Sequence, residues 1–153
     1  MNLKLSFSWV GLVIFALPMV INIFYVIFPP ANKSEKQEKS AKWIEIIEQV
    51  SRILYLLAVT FLVSENALDV CSFWLYLAAF FLILYYAVWV RYFAGGRRTE
   101  LLNRAFLFVP MPLAIFPVLY FLCAAVWMSN IPAVVIMMVF GASHLDVSIK
   151  SFK

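Results

Sequence analysis

Charge is what this sequence has least of. Only 13% of its 153 residues are Asp, Glu, Lys or Arg, while 65% are hydrophobic. A soluble globular domain carries about 25% and about 45–50% respectively. A chain this short folded in water would expose much of that apolar excess, so the excess must face lipid. Histidine occurs once, which excludes a multi-histidine metal centre. The two cysteines, Cys71 and Cys123, form no C-x-x-C pair and have no His or Cys at ligand spacing. Structural zinc and dithiol redox chemistry therefore drop out, and both cysteines are expected as free thiols packing as small hydrophobes. The P-loop, H-E-x-x-H, G-x-S-x-G and G-x-G-x-x-G patterns are all missing, so no catalytic motif, cofactor or metal is expected.

What is present is long apolar runs. No charged residue occurs from Leu5 to Asn32, from Val70 to Val90, or from Ala105 to Leu145. About 20 such residues suffice for a spanning helix. The predicted fold is all-α: one transmembrane domain over residues 1–153, a multi-pass helix bundle with spans near 5–28, 43–63, 70–93, 103–127 and 131–149. The first run reads as a span rather than a signal peptide, because it is long and no A-x-A-type cleavage site follows. Pro18 lies inside it, and Pro29 and Pro30 end it. The run from Ala105 to Leu145 would extend about 60 Å as one helix, twice the ~30 Å hydrocarbon thickness, so it must fold back. Ser129 and Asn130 are cap residues and Pro132 suits a first helical turn, which places the reversal there. Pro110, Pro112 and Pro117 should leave the fourth segment kinked or irregular in its first half. The alternative is four spans with an interfacial tail.

The basic residues arbitrate. With five spans, one side holds Lys33, Lys36, Lys39, Lys42, Arg91, Arg97, Arg98, Arg104, Lys150 and Lys153, and the other holds Lys4 with Glu65 and Asp69. By the positive-inside rule the first side is cytoplasmic. Four spans would put Lys150 and Lys153 on the wrong side. The formal net charge of +4 is thus read as orientation in a cell or inner membrane, with no nucleic acid as partner. Arg91, Arg97, Arg98 and Arg104 are read as topology determinants and anionic-headgroup contacts. Trp9, Trp43, Trp74, Trp89, Tyr92 and Trp127 fall where spans should end, as interfacial aromatics do.

Polar residues inside apolar segments are costly and mark functional candidates. Helical rise puts Arg52 and His144 about 20 Å, and Asn22 about 22 Å, from the outer face, with Glu48 and Asp146 slightly deeper. These five define a candidate polar vestibule in the cytoplasmic third of the membrane. Arg52 is expected to pair with Glu48 one turn away, with His144 and Asp146 opposite. The competing reading has a helix that protrudes into the cytosol with Arg52 snorkelling, His144 and Asp146 marking a helix end, and Asn22 acting as interhelical glue. Three functions follow from these patterns. The first is non-enzymatic binding or passage of a small solute, as a homo-oligomer or as the membrane subunit of a complex. The second is a small enzyme acting on a lipid-like substrate at the cytoplasmic face. The third is an accessory, assembly or immunity-type factor acting by protein contact. The topology is tested by reporter fusions. Fusions at Lys153 and within the Ala31–Lys42 linker are expected on the same, cytoplasmic side, and opposite sides would exclude five spans.

Overall fold

In the computed structural model, which describes residues 3–32, 40–66 and 68–151, the chain is helical apart from a short ribbon. Strand β1 (Leu3–Leu5) precedes helix α1 (Trp9–Ile27). Helix α2 (Lys42–Phe61) runs directly into strand β2 (Leu62–Ser64). Then follow α3 (Phe73–Ala94), the single turn α4 (Glu100–Asn103), α5 (Pro112–Trp127) and α6 (Ile131–Ser151). Helices α1, α3 and α6 are long and apolar enough to cross a membrane. Helix α2 matches them in length but carries a polar amino-terminal half, and α5 is shorter, at 16 residues.

Each boundary has a local cause. Ser8 caps α1 by accepting the Gly11 N–H at 3.0 Å. Inside α1, Pro18 has no N–H, so the carbonyl of Ile14 loses its helical partner. The Tyr120 hydroxyl of α5 donates to that carbonyl at 2.9 Å. Helix α3 ends in a Schellman turn, in which Gly96 takes a left-handed φ of 79° and the Arg97 N–H donates to Tyr92 O at 3.0 Å.

The α5–α6 reversal is built the same way around Ser129, at φ 53°, with the Asn130 N–H donating to Ala125 O. Asn130 then does three further things. Its Oδ1 accepts the Ala133 N–H at 3.0 Å and caps α6. Its Nδ2 donates to Ala58 O at 3.0 Å and to Leu62 O at 2.8 Å, where α2 passes into β2. The side chain is fully buried, so one amide closes α5, starts α6 and fastens both to α2.

The expected all-helical architecture is present, with two local departures from the expected span bounds. First, residues 5–8 are not helical: β1 pairs antiparallel with β2, with Leu3 opposite Ser64 and Leu5 opposite Leu62. The pairing holds the start of α1 beside the end of α2, and Gly11 makes it possible, because a Cβ there would collide with the Val59 carbonyl. Second, the fourth segment is not one helix from residue 103. Helix α5 begins only at Pro112, where the missing N–H costs nothing. Ahead of it, Phe106 and Val109 bridge across a tight turn whose two central residues, Leu107 and Phe108, both take positive φ. The carbonyls of this broken stretch are filled by Arg91 of α3, which donates to Leu101 O and Arg104 O at 2.7 Å and to Ala105 O at 3.1 Å. The guanidinium also lies 5.3 Å from the Phe106 ring centroid.

Helix α3 packs on α5, α6 on α2 and α5, and α1 on α2, with small residues at the crossings. Gly141 of α6 faces Val118 of α5, and Ala58, Ala78, Ala124 and Ala133 are all buried. Helix α1 buries only Gly11, Ile14 and Pro18 and exposes large apolar side chains elsewhere, as a lipid-facing helix should. Both cysteines are free thiols, Cys71 exposed and Cys123 buried. If Asn130 fastens three helices, Asn130→Ala should cost about 2 kcal/mol, three hydrogen bonds at the ~0.6 kcal/mol typical within membrane proteins. Reversible unfolding in mixed micelles measures it, and a loss under about 0.5 kcal/mol would refute the role.

Candidate functional site

Glu48 and Arg52 stand one turn apart on α2, and His144 lies on the facing side of α6. The two helices approach closely because small residues occupy the crossing. Ser51 and Ser143 are both buried there, and each satisfies its own hydroxyl by donating back to its helix, Ser51 to Ile47 O at 2.6 Å and Ser143 to Phe140 O at 3.0 Å. The Glu48 carboxylate is enclosed in this seam, its side chain 7% exposed. Its Oε1 accepts from Arg52 Nη2 at 2.6 Å and from His144 Nδ1 at 3.0 Å. An ionised carboxylate only accepts, so Nδ1 carries the hydrogen and Nε2 is the ring nitrogen left for other partners.

Phe140, one turn before His144, organises the pair from below. Its ring stacks on the imidazole at 5.0 Å with an interplanar angle of 15°, and its centroid lies 5.5 Å from the Arg52 guanidinium carbon. Asn22 of α1 reaches the same region, where its Oδ1 accepts the Tyr85 hydroxyl of α3 at 2.8 Å. Its Nδ2 contacts only Met19 Sδ, at 3.9 Å, a weak acceptor.

Between these groups is a cavity of about 180 Å³. Arg52, His144 and Asn22 form its polar side, and Tyr85, Trp89, Pro117, Phe121 and Phe140 most of its apolar side. All five long helices contribute. Arg52 is 37% exposed, so the cavity reaches the bundle surface. Seven of the ten lining residues lie in the half of their helix nearest the end that bears Arg97, Arg98, Arg104 and Lys150, and Arg52, Phe121 and Phe140 lie just past the midpoint of theirs.

The structure therefore brings together Asn22, Glu48, Arg52 and His144 but not Asp146. Two residues advance a helix by about 200°, which turns Asp146 to the other side of α6. There it accepts from Lys150 Nζ at 2.7 Å and Ser40 Oγ at 3.3 Å. Of the four arginines read as headgroup contacts, Arg91 is engaged differently: it spends its guanidinium on three carbonyls of the 101–105 stretch. Arg98 and Arg104 are exposed and Arg97 is half-buried.

Sequence reasoning missed Phe140, Tyr85 and Trp89. The first had a signal, an aromatic four residues before the only histidine. The other two sit in a helix so uniformly apolar that nothing distinguishes a cavity-facing position. Among the described residues no cluster of three metal-ligating side chains occurs. Neither protein-family models, nor curated proteins, nor solved structures match this chain, so function has to be argued from the site.

The Glu48 contacts predict an asymmetry between neighbouring carboxylates. Glu48→Gln removes the acceptor shared by Arg52 and His144 and should cost about 1–2 kcal/mol. That is less than the ~3–5 of a fully buried pair, because Arg52 is partly exposed. Glu45→Gln changes a residue in no ion pair among the described residues and should cost under about 0.5 kcal/mol. Thermal unfolding of both variants in detergent decides, and equal losses would refute the pairing as a stabilising element.

Proposed function

We propose that this chain is a five-span integral membrane protein that binds, or passes, a small solute through the cavity between Arg52, His144 and Asn22 without chemically changing it. The observation that carries the reading is the cavity itself. Polar groups from three helices converge on one side of an aromatic-lined space, deep in a bundle that otherwise has almost no charge. At about 180 Å³ it lies below the ~300–1,000 Å³ of drug-sized sites, which suits a small solute.

Five spans are supported by the alternation of the long helices. Residues 3–8, 61–72 and 127–131 meet at one end of the bundle through the β1–β2 pair, the Asn130 bonds and a Trp127 Nε1 to Asp69 O bond at 2.7 Å. At the other end, Ala31 pairs with Arg97, Asn32 with Glu100, and Ser40 with Asp146. Helix α5 covers about 24 Å at 1.5 Å per residue, and the Arg91-clamped stretch before it supplies the remaining depth. The distribution of basic residues supports a cytoplasmic cavity end, with the N-terminus outside and the C-terminus inside. The large apolar surface of α1 suits lipid or a further subunit, so a homo-oligomer or a complex with other membrane proteins belongs to the same proposal.

A second reading, a lipid-directed enzyme, has one observation in its favour: Glu48 orients His144 so that Nε2 is presented as a base. Against it, the lining among the described residues offers no Ser, Thr, Cys or Lys to act as nucleophile, and the Tyr85 hydroxyl there is bonded to Asn22.

Water access separates a binding cavity from a packing defect. With Cys71 and Cys123 replaced by serine and alanine, Met19→Cys should react with a small hydrophilic methanethiosulfonate reagent added from the cytoplasmic side. Val20→Cys, exposed on the apolar face of α1, should stay unreactive in lipid. An unreactive Met19→Cys would overturn the proposal.

A further inference from the structure

The hydrogen-bonding capacity left over in the cavity leans to donors. The Glu48 Oε1 beside it takes Arg52 and His144, and Asn22 Oδ1 takes Tyr85. Arg52 spends one of its nitrogens on Glu48 and has others in the fork. Among the described residues Asn22 Nδ2 meets a thioether, a weak acceptor. His144 Nε2 accepts while the ring is neutral and donates once it is protonated. A solute that accepts hydrogen bonds fits this set.

Charge accounting then limits which acceptor. When His144 is neutral, the Arg52 guanidinium and the Glu48 carboxylate cancel and the site carries no net charge. A bound carboxylate or similar oxyanion would bring a net negative charge into a space with little water, which is costly. One group can cancel it. A proton from the aqueous phase taken by the lone pair of His144 Nε2 makes an imidazolium held from behind by Glu48, and its new N–H points its charge at the anion. Among the described residues the ionisable groups facing His144 are few. From α2 they are Glu48 and Arg52, and from α3 only the Tyr85 phenol. Helices α1 and α5 line the cavity with Met19, Asn22, Leu113, Pro117 and Phe121, none of them ionisable. On α6 itself Asp146 is turned away and paired with Lys150.

Resting on the cavity-binding reading above, we infer that the solute is a small monoanion, an oxyanion with a flat apolar body, and that it is taken up together with one proton on His144. The flat body follows from the walls, where Trp89, Phe121, Phe140 and Pro117 offer ring faces. The proton follows from the charge count.

The test uses the full chain in phosphatidylcholine nanodiscs, with empty nanodiscs subtracted, and benzoate and its neutral isostere benzamide as probes. Calorimetric titration at pH 8 in two buffers of different ionisation heat counts protons directly. The expected result is close to one proton taken up per benzoate, with benzamide at least ten-fold weaker and no proton taken up with it. Benzoate affinity should fall as pH rises, the direction of a linkage in which binding takes up a proton. His144→Gln should bind benzoate more weakly and take up no proton. Should that variant fail to fold, the proton count on the unaltered protein still decides.

Benzoate binding without proton uptake, proton uptake undiminished in His144→Gln, or benzamide equal to benzoate would each overturn the inference while leaving the cavity as a binding site. Binding of neither probe, with Met19→Cys still reactive, overturns the inference and leaves a hydrated cavity. Only an unreactive Met19→Cys removes both.

Discussion

A backbone carbonyl that loses its helical partner away from water must find a donor inside the protein or remain unbonded at a cost of several kcal/mol. In this chain the donors are long side chains from other helices. Tyr120 reaches the Ile14 carbonyl that Pro18 leaves open, Tyr86 bonds Leu17 O and Tyr55 bonds Phe121 O. Asn130 holds the two carbonyls at the end of α2, and Arg91 holds three where the chain breaks before α5. The Tyr120 and Arg91 bonds go to carbonyls beside a proline or a helix break, and the Tyr86, Tyr55 and Asn130 bonds add a side-chain donor that joins segments distant in sequence. With lipid on the outside there is little hydrophobic drive between helices, so these bonds and the small-residue crossings set which helix lies beside which.

The same constraint shapes the polar centre. Glu48 is kept in the α2–α6 seam because two donors are within reach, Arg52 from its own helix and His144 from the other. Phe140 places a ring beneath both donors. The cluster is therefore rigid on its carboxylate side and open on its donor side, an asymmetry that gives the cavity chemical character beyond its shape.

Much of this was legible in the residues, and the parts that were not have physical reasons. Charge-free length located the helix centres, and Ser129, Asn130 and Pro132 located the α5–α6 reversal. The i,i+4 spacing of Glu48 and Arg52 stated their pairing outright. The β1–β2 ribbon was hidden because three-residue strands of Leu, Val, Lys and Ser carry no periodicity, and their pairing spans nearly sixty residues. Asp146 was grouped with His144 by depth, although angle rather than depth decides which neighbour a helical residue meets. Arg91 looked like one more basic flank because its partners are carbonyls, which every residue has and no sequence distinguishes. Tyr85 and Trp89 were invisible because a lipid-facing and a cavity-facing position are equally apolar on the same helix.

The ribbon also constrains the order in which the molecule can be assembled. Helix α1 emerges before α2 during synthesis, yet the strand before it has no partner until residues 62–64 have followed α2 out, and the Tyr120 that bonds its Ile14 carbonyl arrives later still. Through that interval α1 stands in the bilayer with an open carbonyl beside Pro18 and only its own apolar surface to keep it there. Asn130, at the start of α6, then bonds to the segment that already holds β1. A chain arrested before residue 130 would possess α1 to α5 and lack the amide that joins α5 and α6 to α2, so this bundle closes by a docking step that follows insertion.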